Sequence, residues 1–179
     1  MSKMVTPIVN GAFLALAEAR IAPGGDEDSA KYQITLVLDS DDSWWDELDA
    51  AIKAAAVAKW GKMPPKAVLP VKSGDDTEYE EFYGSNTVTV ASKRRPQIVD
   101  KNRKPVLDMD DIGSGDRFIV SLTPYAWEFA PLNRKGVSLS LSNVMWIGEG
   151  EERWDGGSSA ESDFAETVVE DGESDSLLD

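Results

Sequence analysis

The sequence predicts a mainly β domain with one helix and an acidic arm appended to it. Three observations carry that expectation. Segments with apolar residues at every second position recur through residues 7–148, the period of a strand with one buried face. One stretch, 43–60, switches to three- and four-residue spacing. The charge is lopsided as well: residues 149–179 hold twelve carboxylates against Arg153, a net of −11 within the −15 of all 179 residues. Residues 1–148 are left with 17 bases and 21 acids, so an acidic chain can still present a basic face.

The elements follow in order. Residues 7–21 form an extended, small-residue-rich segment with Phe13, Leu14 and Leu16 as its bulkier members, and 22–30 is a polar turn. Residues 31–39 alternate, with Tyr32, Ile34, Leu36 and Leu38 on one side and Gln33 and Thr35 on the other. The two segments are expected to pair as a long hairpin. Ser43 is placed to cap a helix whose first turn carries Asp46 and Glu47, where the dipole favours negative charge. Trp45, Leu48, Ile52, Ala55 and Ala56 form its apolar stripe; Gly61 then stops it and Pro64 and Pro65 forbid continuation. That helix is expected to cover one mouth or face of a sheet.

Residues 62–86 read as an irregular excursion. Strand character returns at 86–92, 96–100, 117–129 and 136–148. In the third of these Phe118, Val120 and Leu122 share a face, and Pro124 is expected to interrupt the alternation. In the last, Val137, Leu139 and Leu141 point inward and Ser138, Ser140 and Ser142 outward. Phe13, Tyr32, Trp45 and Phe118 are assigned to the core. About five β segments and one helix fit a partly open five-stranded barrel of the OB type with long loops; strand count alone does not separate it from a small sandwich. The domain is expected to span 1–148, and the Gly-, Ser- and acid-rich arm 149–179 to be disordered.

Composition removes several functions. The chain has no Cys and no His, which excludes disulfides, thiolate metal sites and every scheme that needs imidazole. The runs Asp39–Asp42 and Asp108–Asp111 lack the ligand spacing of a calcium loop. Gly113-Ser114-Gly115-Asp116 lacks the ending of a phosphate loop and reads as a turn. No catalytic residue, metal site or cofactor is assigned. The N-terminal residues lack the layout of a secretion signal and no run approaches ~20 apolar residues, so a soluble intracellular protein, not a membrane protein, is expected.

Two basic windows lie within the domain. From Ala50 to Lys72 there are five lysines, among them Lys59 and Lys62, and no acid; from Lys93 to Lys104 there are six bases against Asp100. Aromatic residues interleave with both: Trp60 lies between Lys59 and Lys62, and Tyr125 and Trp127 lie on a segment that opens with Arg117 and ends near Arg134 and Lys135. Cations that follow a phosphate backbone and flat rings that stack on bases are what single-stranded nucleic acid needs. The plain alternative is solvated basic loops and core aromatics. The candidate DNA-binding set is Lys59, Trp60, Lys62, Lys93, Arg94, Arg95, Arg103, Lys104, Arg117, Tyr125, Trp127, Arg134 and Lys135.

The collinear blocks KYQITLVLD, AKWG, FYGSNTVTVAS, RRPQIVD, IGSGDRFIVSLTPYAWEF and KGVSLSLSNVMWIGEGE resemble the phage-encoded OB-fold single-stranded-DNA-binding proteins over about residues 8–150. The resemblance implies a protein that coats single-stranded DNA in phage replication, recombination or repair, in the cytoplasm of a bacterial host. Single-strand binders of this type also end in acidic tails, and by its charge and reach this tail is expected to occupy the basic groove as a DNA mimic and, once displaced, to recruit replication or recombination proteins. Many tails of this type end in an aromatic residue, whereas this one ends Leu177-Leu178-Asp179, and Phe164 is its distal aromatic. Those four residues are the candidate partner-binding tail. Self-association as a homodimer is compatible with the sequence. Two other readings stay open: an acidic DNA mimic or adaptor that binds proteins rather than DNA, and a metal-dependent nuclease, for which no ligand spacing is found.

Overall fold

The computed structural model describes residues 3–21, 24–150 and Trp154. The chain forms β1 (Met4–Val5), β2 (Val9–Arg20), β3 (Lys31–Asp39), helix α1 (Trp44–Trp60), β4 (Lys72–Ser73), β5 (Ser85–Ser92), β6 (Gln97–Asp100), β7 (Arg117–Phe129) and β8 (Arg134–Gly148). Among the described residues the fold is mainly β with one α-helix. Strands β2, β3 and β5 pair antiparallel in succession, β5 runs parallel to β8, and β8 and β2 both pair antiparallel with β7. That circuit closes a five-stranded barrel, the OB-type arrangement the strand inventory suggested.

The barrel closes around Phe118, Ile34, Leu36, Leu122, Leu139 and Val120, all fully buried. Closure at the β2–β7 seam depends on Gly11, where a Cβ would lie 2.6 Å from the Phe118 ring and 2.8 Å from Ile34 Cδ1. Above the seam Thr6 carries the ladder on: its N–H donates to Val120 O at 2.9 Å, and its Oγ1 accepts the Val120 N–H at 3.0 Å.

Helix α1 packs on β7 and β8, burying Trp44, Trp45, Leu48, Ile52, Ala55 and Ala56. Its start differs from expectation. Ser43 makes no side-chain cap; instead Asp42 Oδ1 accepts the Trp44 N–H at 2.9 Å, one residue earlier. Gly61 does end the helix in the left-handed region, φ 79, donating to Val57 O.

Three further expectations are corrected. Pro124 does not interrupt β7: it is buried like Phe118, Val120 and Leu122, stays in register opposite Leu139, and the pairing continues to Phe129, although the alternation of burial ends at Pro124. Beyond Leu122, β8 is the one partner of β7 among the described residues, and a strand with a single neighbour tolerates a missing N–H. Phe13 is not a core residue. Phe13 and Leu14 together oppose Ile34 in a β-bulge, Phe13 adopts φ 49, and its ring is turned out to 43% exposure. Tyr32 is half-buried rather than core, as the last pair of the β3–β5 ladder, Tyr32 with Ser92, lies at its rim. The excursion 62–86 also holds order that local pattern did not reveal: β4, an isolated bridge from Val68 to Gly136, and two 3₁₀ turns at Gly74–Asp76 and Glu80–Phe82.

Candidate nucleic-acid interface

Strand β8 organises the candidate residues. Three segments lie along its edge away from the barrel-closing partner β7. Val68 bridges Gly136 and accepts the Val137 N–H at 3.0 Å, which lays the loop after Lys62 beside the start of β8. Next, Ala91 of β5 pairs with Ser140. Gln97–Asp100 of β6 then pair with Asn143–Trp146. Lys93, Arg94 and Arg95 form the corner between those two pairings, so they sit beside residues 141–142 of β8. The two basic windows, far apart in sequence, therefore flank one strand. At ~3.4 Å per residue, the eleven steps from Lys135 to Trp146 make a track roughly 37 Å long.

The bases are presented outward by local chemistry. Ser92 Oγ accepts the Arg94 N–H at 3.0 Å and so fixes the corner. Asp100 Oδ1 accepts the N–H groups of Asn102 and Lys104, at 2.8 and 3.1 Å, in a tight turn that puts Arg103 at φ 65. Lys93, Arg94, Arg95, Arg103 and Lys104 are all exposed. Among the described residues the one ion pair is Lys53 with Asp49 at 2.8 Å, so no described carboxylate neutralises these cations.

The rings occupy two faces. Tyr125 and Trp127 point to the outer face of β7, opposite Ser138 and Gly136, and both are half-buried. Trp127 Nε1 donates to Ser138 Oγ at 2.9 Å, and its ring lies so close over Gly136 that a Cβ there would sit 2.6 Å away. The indole is thereby held against the strand with one side left to solvent. Thr123, Ser140, Ala91, Gln33, Thr35 and Thr89 continue the same outer face across β8, β5 and β3, with the hydroxyls of Thr35 and Thr89 2.9 Å apart. Sequence reading passed over these β3 and β5 residues because their alternation says only that they face out, not which strands they join.

Trp60 lies on the other face. Its Nε1 donates to Glu128 Oε1, and Lys135 Nζ stands 5.8 Å from its ring centroid. Glu128 and Lys135 form a cross-strand pair whose side chains alternate with those of Trp127 and Gly136. The Trp60 bond, with smaller contributions from Lys135 and Lys59, holds the Glu128 carboxyl below the usual carboxylate range. The structure thus brings Lys59, Trp60 and Lys62 to the tip of the β7–β8 hairpin with Arg134 and Lys135. Arg117 is not part of that group: it pairs with Gly148 at the far end of β7, twelve residues from Phe129. Phe164, Leu177, Leu178 and Asp179 lie outside the described residues. Among the described residues no group of three or more carboxylates could hold a metal ion, and no helix is long and apolar enough to cross a membrane.

A family described as the Enterobacter phage Enc34 ssDNA-binding protein matches residues 2–176. The chain belongs to this family. The resemblance read from the sequence blocks therefore holds. A curated relative, "Putative protein p50" of Acyrthosiphon pisum secondary endosymbiont phage 1, is 26% identical over 130 residues, covering 66% of this chain and 69% of that protein. Among solved structures, the single-stranded DNA-binding protein from bacteriophage Enc34 superposes with a TM-score of 0.72 at 18% identity, covering 91% of this chain and 89% of that one. The same phage protein in complex with ssDNA gives 0.73 at 18% identity, over 85% and 89% of the two chains. Gp2.5, a single-stranded DNA binding protein encoded by bacteriophage T7, gives 0.62 at 18% identity, over 96% and 97%. These solved structures share the fold of this chain.

Proposed function

We propose that this protein binds single-stranded DNA along β8 and coats it during phage replication, recombination or repair in a bacterial host. The observation that carries the reading is the convergence of both basic windows on one strand, β8, whose neighbour β7 bears Tyr125 and Trp127 on its outer face. In this reading Lys93, Arg94, Arg95, Arg103 and Lys104 follow the phosphates from one side, and Lys59, Lys62, Arg134 and Lys135 continue the track at the hairpin tip. Tyr125 and Trp127 stack on bases. Serine and threonine hydroxyls of the outer face contact the backbone. Nothing in this arrangement selects a base, which suits a protein that must cover any sequence. The Enc34 protein, whose fold this chain shares, has been solved in complex with ssDNA, and that supports the choice of ligand.

The acidic arm 149–179 completes the proposal. With twelve carboxylates in 31 residues, it competes with DNA for the same cations and, once displaced, is free to recruit replication or recombination proteins. Trp154 is fastened to Ser114 O, and a flexible chain of the 25 residues beyond it would span roughly 28 Å, comparable to the length of the basic track. Quenching of tryptophan fluorescence by oligo-dT, compared with duplex and followed across salt, tests the function directly. Saturable quenching by oligo-dT that weakens with salt is expected; its absence at low salt, for the full chain and for a chain ending at residue 148, would refute DNA binding. The shortened chain is expected to bind more tightly than the full one at low salt, and equal affinity would refute the competing role of the arm.

A further inference from the structure

A cleft of about 490 Å³ opens between the β2 bulge, the turn at 79–82 and Trp154, away from the basic residues that flank β8. Its walls are aromatic. Phe13 meets Tyr79 edge-on at 5.4 Å between centroids and Phe82 at 6.0 Å, and Phe82 meets Trp154 at 5.7 Å. Phe82 is buried beneath them, whereas Phe13 and Tyr79 remain 43% and 38% exposed. Trp154 is fastened by its N–H to Ser114 O at 3.1 Å.

The segment that supplies Tyr79, Glu81 and Phe82 to the cleft carries charge of one sign. Residues 73–92 carry Asp75, Asp76, Glu78, Glu80 and Glu81 and no base, and Glu81 lines the cleft itself. Five carboxylates disfavour a phosphate backbone here, which distinguishes these rings from those beside the basic track. Ring faces carry negative quadrupole potential, and rings set nearly perpendicular to one another beside a carboxylate attract a cation. We propose that this cleft docks a basic segment of a partner protein, with an arginine or lysine side chain entering among Phe13, Tyr79 and Trp154 and pairing with Glu81. The site uses none of the basic residues or rings placed on the track.

Phe13→Gly is the informative variant. It removes one ring, leaves the charge unchanged, and places glycine where φ is 49, a conformation glycine adopts freely. Glu81→Gln tests the counter-ion without touching the bulge. Glu27→Gln, an equal charge change on the exposed β2–β3 loop, is the control. The probe is the hexapeptide (Gly-Arg)3, titrated into the full chain by calorimetry and by the indole N–H signal of Trp154, assigned from Trp154→Phe. The peptide is expected to shift that signal, and Phe13→Gly to weaken binding about two- to fivefold, the effect of one exposed cation–π contact. Glu81→Gln weakens it too, while Glu27→Gln does not and ssDNA affinity is unchanged in Phe13→Gly. An unmoved Trp154 signal, or equal losses in Glu27→Gln and Glu81→Gln, would mean diffuse attraction to an acidic chain and would overturn the proposal. So would a Phe13→Gly protein that loses ssDNA affinity but keeps its affinity for the peptide.

Discussion

Replacing Trp127 separates the proposed role of its ring in binding DNA from its role in the fold. The indole is half-buried over Gly136, and its N–H is committed to Ser138 Oγ at 2.9 Å, so one side is spent on the strand and the other is left for a base. A base–aromatic stack contributes ~1–3 kcal/mol, which corresponds to a ~5- to 150-fold loss of affinity in Trp127→Ala. Trp127→Phe keeps a stacking surface and gives up the hydrogen bond, whose net stabilisation is about 1 kcal/mol. The phenylalanine variant is therefore expected to melt earlier yet bind oligo-dT within a few-fold of the parent. Fluorescence anisotropy of labelled oligo-dT at fixed salt, alongside thermal melts of each protein, measures both quantities. If Trp127→Ala melts earlier but binds as well as the parent, the ring is only a cover for Gly136 and the stacking argument fails.

Arg94→Ala and Arg95→Ala are each expected to reduce the slope of log affinity against log salt by about 0.7, the value for one phosphate contact on a single strand; an unchanged slope would remove that corner from the track. The Trp60–Glu128 contact gives a pH signature. Since Glu128 is held ionised below the usual range, the contact persists above its folded-state pKa and is lost as pH falls through it. The Trp60 indole N–H signal should therefore titrate with a midpoint below that of a free glutamate, and Glu128→Gln should abolish the step. Gly11→Ala drives a methyl into Phe118 and Ile34. Overpacking of that kind costs ~1–3 kcal/mol, a fall in Tm of ~2–4 °C for each kcal/mol in a chain this size; a melt unchanged from the parent would show that the seam has slack.

Local pattern in the chain determined the strands, the helix and its glycine stop, because side-chain periodicity and the backbone preferences of Gly and Pro act over a few residues. Ile34 and Leu36, Val137 and Leu139, and Trp45 to Ala56 were all legible in that way. So were the sorting of charge into two basic windows and the family resemblance. Three local readings failed where a neighbour decided the outcome. Phe13 left the core because a bulge shifts side chains to the other face. Pro124 stayed in its strand because β7 has one partner there, and Asp42 replaced Ser43 at the helix start. What the tertiary structure alone decided is which candidates meet. Bases at 59–66, 93–95 and 101–104 line up because three separate segments dock against one edge of β8, a pairing over long sequence distances that no local period encodes. The same pairing sends Trp60 to the face opposite Trp127 and leaves Arg117 at the far end of the strand, since alternation along two paired strands fixes which side each ring and charge can reach.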